Sequence, residues 1–526
     1  MTWSPIYIVV AAVYFAGLML VGIWSARRTG DSNQYLNATS SLPTWVCATA
    51  CIAANCGSLD LFAMMALGAQ YGMLACHFYW IGAIPALLAV AFWLLPAYRR
   101  NPNPTILAFI AGHYGNTTRS LVALCMSTMM LLIAGVSLYA AAQTLNAFLG
   151  WTFLQGALVA ATVVLFYTWF GGFRATVYTE LFHFSLVLVG VVPLLFLVTR
   201  ELGGFTKLMA SIPANRVHAW QGVPLFAPHA VMDRFGLVFG LGLVLSFGYW
   251  GTDFVQLQRS LAVRKKQDAP FVPLSIGFAK LAFAMLVVLP GVAAPLVLPH
   301  ASLSSNWNVT LPALMLHSYK SIWLFFGFLG LAATLISTFS NNVAGFTSAW
   351  VQTFYQQWIR PGASDTHYKL VSRVTNAAAV VLAVGAACFA SGFQSLMEYI
   401  QLILSTFNAP LFALVALAMI VPRKVSAGGS AGFLVGLACT IAHQILALTH
   451  VLQYGSQMAA NFYGAILGFG VAFVCILLTA SLRGPAALAP GSLQIFEGRP
   501  ASVKWPAISV GMVLAGLFIL FNAIFW

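Results

Sequence analysis

Charge is what this sequence has least of. Among 526 residues, 24 are Lys or Arg and 10 are Asp or Glu, a charged share of 6%, against about 25% in an ordinary soluble protein. So few charges cannot cover the surface of a 56.5 kDa globule. A soluble enzyme, a secreted scaffold and a disordered chain are excluded on that ground. Cysteine is also sparse. Cys47, Cys51, Cys56, Cys76, Cys125, Cys388, Cys439 and Cys475 all fall inside apolar stretches, and no two form a CxxC pair. They read as small buried hydrophobes, with no metal site and no oxidising compartment implied. Two further patterns are missing. The apolar residues do not come as the alternating ten-residue segments of a transmembrane barrel, and no GxxxxGK[ST] loop of an ATP-driven pump occurs. The longest polar segments, about 200–231 and 483–505, are too short to bury a core of their own.

What is present is apolar length. Hydrophobic residues make up 61% and mean hydropathy is +0.89. A membrane span needs about 20 such residues. Fourteen blocks qualify: about 6–24, 44–69, 77–98, 119–148, 153–171, 173–199, 232–258, 270–298, 320–357, 368–391, 393–421, 429–449, 460–482 and 506–525. Residues 120–173 and 425–482 contain no Asp, Glu, Lys or Arg at all. Each run holds two helices, turning at Leu149-Gly150-Trp151 and near Tyr454-Gly455. The least marked division is the one at Gly171-Gly172. The fold class is therefore an all-α polytopic membrane protein, read as a single membrane domain over 1–526.

The basic residues set the orientation. Residues 1–7 carry none, and Arg27-Arg28 follow the first apolar block. This order argues against a cleavable leader and places the N-terminus outside. Under fourteen spans, Arg200, Lys207, Arg216, Arg234 and Lys320 lie outside and Lys280 lies within a span; the other eighteen Lys and Arg lie inside. That bias supports a multi-pass protein of the cell (inner) membrane with both termini outside. The formal net charge of +14 is then a topology signal, and no nucleic-acid partner is expected. No obligate protein partner is evident either.

Ionised side chains inside spans cost about 2.5–3.5 kcal/mol each on insertion scales and mark functional sites or interhelical ion pairs. Five occur: Asp60, Glu180, Asp253, Lys280 and Glu398. Asp60 ends the run Ala53-Ala54-Asn55-Cys56-Gly57-Ser58-Leu59-Asp60, and Asp253 ends Phe247-Gly248-Tyr249-Trp250-Gly251-Thr252-Asp253. Both runs are small, polar and Gly-containing, in the second and seventh spans, five apart. Interrupted helices at matching places in two halves point to a transporter site, where unwound backbone offers carbonyls to a cation. Two glycine kinks for close packing account for them equally well. In the ninth span Thr334, Ser337, Thr338 and Asn341 share one helix face. Their oxygens suit a hard cation, or serve as polar contacts between helices. No enzyme is expected: His77, His183 and His317 are dispersed, and no nucleophile–base pair is visible.

At these residues the sequence resembles the sodium:solute symporter family over nearly its whole length. The resemblance is carried by residues 21–28, by Ala53-Ala54-Asn55, and by Tyr71-Gly72 through Trp80. It continues at Gly171-Gly172-Phe173-Arg174 with Thr179-Glu180, at Tyr249 through Arg259, at Lys280, at Val288-Leu289-Pro290-Gly291 and at Ser337-Thr338. It implies a LeuT-type core of two inverted five-helix repeats, residues 44–199 and 232–421. One helix, about 6–24, leads, and peripheral helices fill 429–526.

The resemblance also implies site roles. The family's sodium site matches the backbone carbonyls of Ala53, Cys56 and Thr334 and the side chains of Ser337 and Thr338, so Na+ is the expected coupling ion, with no other cofactor. Glu180 matches an acid near a second sodium or proton site in some members, with one extra methylene. In the sugar-transporting branch, polar side chains hold the solute's hydroxyls. Lys280 and Gln401 match that set, whereas Asp253, Asp60 and Tyr79 replace two amides and a Glu, and Gly82 replaces a hydroxyl residue. Met64 and Phe78 match the residues that close the pocket's outer side, joined by Met397. The expected function is sodium-coupled import of a small polar organic solute, a sugar or polyol first, by alternating access. The alternatives are an amine, amino acid or monocarboxylate as solute, or a membrane solute sensor on the same fold. A monocarboxylate faces repulsion from Asp60 and Asp253 unless a proton or sodium offsets it.

Overall fold

The computed structural model describes residues 42–99, 105–298, 306–393, 395–420, 426–483 and 505–526, with parts of 9–20; the side chains of 58–59, 167–168, 170–178, 181, 254–255, 321 and 426–427 are excepted. Most of the leading span at 6–24, Arg27-Arg28 and the inner segments 421–425 and 484–504 lie outside the described residues. Among the described residues the fold is helical. Its one extended pairing is an isolated bridge between Leu42 and Val263.

The helices that matter for the site are α1 (Thr44–Asn55), α2 (Ser58–Tyr71), α3 (Ile106–Tyr114), α4 (Asn116–Leu149), α5 (Phe153–Glu201), α6 (Ser246–Thr252), α7 (Phe254–Leu261), α8 (Phe271–Phe283), α9 (Leu289–Val297), α10 (Ser321–Trp350), α11 (Asp365–Ala390), α12 (Leu396–Ile420), α13 (Ser426–Leu448), α14 (Gln457–Arg483) and α15 (Trp505–Ile524). Among the described residues ten helices are long and apolar enough to cross a bilayer, and two shorter apolar helices, Thr44–Asn55 and Gly236–Thr252, lie beside breaks.

Both interruptions seen in the sequence are real breaks. The first is two residues wide. Cys56 leaves helical geometry at φ −93, ψ 33, and Gly57 is extended at φ −78, ψ −178. The second is Asp253 alone, at φ −60, ψ 115. Its Oδ1 accepts a 2.7 Å hydrogen bond from Gln256 N–H and so caps α7. Before it, residues 236–245 form wide π-turns, a geometry that recurs at functional sites.

The division expected at Gly171-Gly172 differs. The chain is helical from Phe153 to Glu201 without an end there. A straight helix would hold Gly156 and Gly190 about 51 Å apart at 1.5 Å per residue. Yet Gly156 packs on Ala142, the Phe148 ring lies tilted 5.3 Å from that of Phe328, and Gly190 packs on the Phe326 carbonyl. Those contacts bring the two positions closer than a rod allows, so α5 is bent along its length. Two small glycines can bend a helix without ending its hydrogen-bond ladder.

Close backbone approach fixes α2 against α9. A Cβ on Gly68 would lie 2.6 Å from the Val288 carbonyl, and one on Gly291 would overlap the Met65 carbonyl. With no hydrophobic effect between helices in lipid, such small-residue contacts are what packs them.

Candidate functional site

The two breaks face a cavity of about 1100 Å³, mouth included, between α2, α6, α8, α10 and α12. Asp60 stands in the first turn of α2, Asp253 at the second break, Lys280 on α8 and Gln401 on α12. Phe78 ends the tight helical segment after α2, and Tyr79 follows it. All six line the cavity, with Met64, Met397 and Thr338. Met64, Phe78 and Met397 are buried.

Ion pairing organises the polar side chains. The Lys280 ammonium lies 3.0 Å from Asp60 Oδ2 and 4.6 Å from the centre of the Tyr79 ring. The Tyr79 hydroxyl donates to the same carboxylate oxygen at 2.7 Å. Thus the Lys280 ammonium, the Asp60 carboxylate and the Tyr79 phenol contact one another. Glu180 lies away from the cavity wall. Its carboxylate accepts from Arg259 Nε at 3.0 Å, from a second Arg259 nitrogen, and from Asn341 Nδ2 at 2.5 Å. All three residues are buried, and they tie α5, α7 and α10 together. Glu398 accepts from the Tyr71 hydroxyl at 3.1 Å, joining α2 to α12.

Beside the cavity, the first break presses on α10. A Cβ on Gly57 would lie 2.8 Å from Thr338 Oγ1 and 3.3 Å from the Ala53 carbonyl. A hydroxyl of one helix and a freed carbonyl of another therefore lie within one ligand's reach of the same point. Thr338 Oγ1 donates its proton to the Thr334 carbonyl at 3.0 Å, which leaves its lone pairs directed outward, as a cation ligand requires. Ala53, Cys56, Thr334 and Ser337 are buried as well.

Sequence reasoning passed over several lining residues. Asn55 Nδ2 donates to the Tyr249 hydroxyl at 3.0 Å across the two breaks. The Gly82 carbonyl accepts from Ser246 Oγ at 2.8 Å and from Trp250 Nε1 at 3.1 Å. The expected hydroxyl side chain at 82 is thus replaced by a carbonyl bonded to a hydroxyl on α6. Gln256 and Asn342 also line the cavity. Asn55, Tyr249 and Trp250 sat inside the broken-helix runs, which was the available signal. Gln256 had only its place in the stretch from Tyr249 to Arg259, and Ser246 had none.

Comparison with known proteins agrees with this architecture. The profile of the sodium:solute symporter family matches residues 35–436. A sodium/glucose cotransporter of Vibrio parahaemolyticus is 23% identical over 98% of both chains. A sodium/myo-inositol cotransporter 2 of Rattus norvegicus is 26% identical over 85% of this chain and 71% of its own. The solved structure of a sodium-coupled sialic acid symporter, substrate-bound and outward-open, superposes with a TM-score of 0.80 at 16% identity, over 93% of this chain and 100% of that one. A multi-pass membrane protein with the LeuT-type transporter fold, this chain belongs to the sodium:solute symporter family.

Proposed function

We propose that the protein imports an uncharged sugar or polyol together with sodium. The observation that carries this reading is the contact of the Cys56-Gly57 break with Thr338, immediately beside a polar cavity. Sodium binds the carbonyls of Ala53, Cys56 and Thr334 and the hydroxyls of Ser337 and Thr338. It thereby holds α1 and α2 to α10. The solute occupies the cavity, held by Asp60, Tyr79, Asp253, Lys280 and Gln401, under Met64, Phe78 and Met397. Relatives named for glucose and myo-inositol support the solute class.

Sodium favours the state that completes its ligand set, and coupling follows from its unequal affinity for the two states. The membrane potential contributes about 2.3 kcal/mol per charge per 100 mV to the inward step. Matching breaks in 44–199 and 232–421 support two inverted repeats, and the basic bias of the inner segments supports termini outside. Glu180, already balanced by Arg259, acts as a brace between helices and not as a second cation ligand.

The test is uptake into proteoliposomes under an inward sodium gradient, with glucose, mannose and myo-inositol. Accumulation above the external concentration is expected, and it should vanish in Ser337→Ala/Thr338→Val while the protein still folds. Unchanged sodium dependence in that double variant overturns the ion site. Sodium-dependent binding with no accumulation identifies a sensor.

A further inference from the structure

Building on that symporter reading, we infer that Asp60 determines charge selectivity. It is the built-in counter-ion of Lys280, and it makes the cavity accept uncharged polyhydroxylated solutes and reject those bearing a carboxylate.

Three charged side chains line the cavity: Asp60, Asp253 and Lys280. Lys280 is the single cation among the described lining residues, and an anionic solute would have to bind there. That position is already taken. Asp60 Oδ2 lies 3.0 Å from the ammonium, and the Tyr79 hydroxyl holds the same oxygen in place at 2.7 Å. The Tyr79 ring covers another side of the ammonium at 4.6 Å, a favourable cation–π position. The Lys280 side chain is 5% exposed and that of Asp60 is 18% exposed. The carboxylate is therefore the member of the pair that shows to the cavity. An incoming carboxylate meets like charge first and finds no unpaired cation behind it.

The rest of the wall asks for donors. Asn55 Oδ1, Asn341 Oδ1 and Gln401 Oε1 are buried without a hydrogen-bond partner, and all three residues line the cavity. Buried acceptors left unpaired are costly. Hydroxyl groups satisfy them and a carboxylate cannot. A neutral solute leaves the Asp60–Lys280 pair balanced; a uronate or an amino sugar adds a charge that the pair does not offset.

The experiment measures solute affinity at saturating sodium by thermal shift on the full-length protein. The probes are glucose against glucuronate and mannose against mannuronate, with glucosamine as the cationic arm. Wild type is expected to prefer the neutral sugar of each pair. Asp60→Asn exposes Lys280, and the uronate-to-neutral affinity ratio should rise about tenfold or more, the lower end for a close buried charge pair. Asp60→Asn/Lys280→Gln removes both charges and should abolish that rise. Tyr79→Phe loosens the carboxylate while keeping all charges and should move the ratio the same way by less; it carries the test if Asp60→Asn does not fold. The inference is overturned if the ratio is unchanged in Asp60→Asn (or in Tyr79→Phe where that variant stands in), if the rise persists in the double variant, or if wild type prefers the uronate or the amine. Stabilisation of wild type by sodium alone, against choline, is read separately, and its absence condemns the symporter reading instead.

Discussion

Replacing Gly57 by Ala adds one methyl group at the point where the first helix break meets α10, and its effect can be worked out from the structure. At φ −78, ψ −178 the backbone is open to any residue, so Ala brings no conformational strain. At compatible positions the exchange even stabilises by about 0.4–1 kcal/mol, through the unfolded chain. The cost is steric and local. The new carbon would lie 2.8 Å from Thr338 Oγ1, where ordinary contact begins near 3.4 Å, so the hydroxyl must retreat by about 0.6 Å. It can do so by moving α10 bodily or by turning about χ1, where a helical Thr has two usable rotamers. Either movement takes the hydroxyl away from the Ala53 carbonyl by more than the roughly 0.2 Å that a metal site tolerates. Sodium affinity should fall about 10–100-fold, the range for losing a contact that orients a metal ligand, while the fold is kept. The assay is the sodium dependence of thermal unfolding and of solute uptake. Gly385→Ala is the control, because a Cβ there meets nothing within 4 Å and Ala is the better helix former. Wild-type sodium dependence in Gly57→Ala would refute the placing of the ion between this break and Thr338.

Two more outcomes follow from the packing. Glu180→Gln strands the buried Arg259 guanidinium and should destabilise by about 3–5 kcal/mol, whereas Glu180→Gln/Arg259→Met should recover most of that loss; melting of the purified protein in detergent decides, and a double variant as unstable as the single would show that the pair is not the brace. Gly68→Val drives a side chain into the Val288 carbonyl and should cost about 1–3 kcal/mol by overpacking, seen as a lowered melting temperature with unchanged sodium dependence in the surviving protein.

The breaks were legible because Gly and small polar residues stand out in an apolar helix, and Cys56-Gly57 and Asp253 lie inside the runs that marked them. Asp60 and Lys280 were visible for the same reason, as charges with no business in lipid. Their pairing was not, because contact between residues 220 positions apart depends on how α2 and α8 are set against each other, which no local pattern encodes. Glu180 shows the limit more sharply: the resemblance suggests a cation site there, and its pairing with Arg259, one of the basic residues of the inner segments, is not encoded in any local pattern. Asn55 and Tyr249 were overlooked since an amide or phenol in a span looks the same whether it bonds a neighbour or faces a solute. The glycines at 171 and 172 suggested a helix end, and the chain there stays helical.

The isolated bridge at Leu42 has a mechanical meaning. Leu42 N–H donates to the Ala262 carbonyl at 3.2 Å, and Arg264 N–H donates to the Leu42 carbonyl at 2.8 Å. Leu42 stands just before α1 and Ala262 just after α7, so these bonds yoke the far ends of the two half-helices. Each is worth about 1 kcal/mol net, enough to make the halves travel as a pair but too little to lock them. On the proposed sodium and solute sites, a swing of α1 that frees the ion would draw α7 along with it, so that ion and cargo leave in one stroke and a leak of either alone must first snap the yoke.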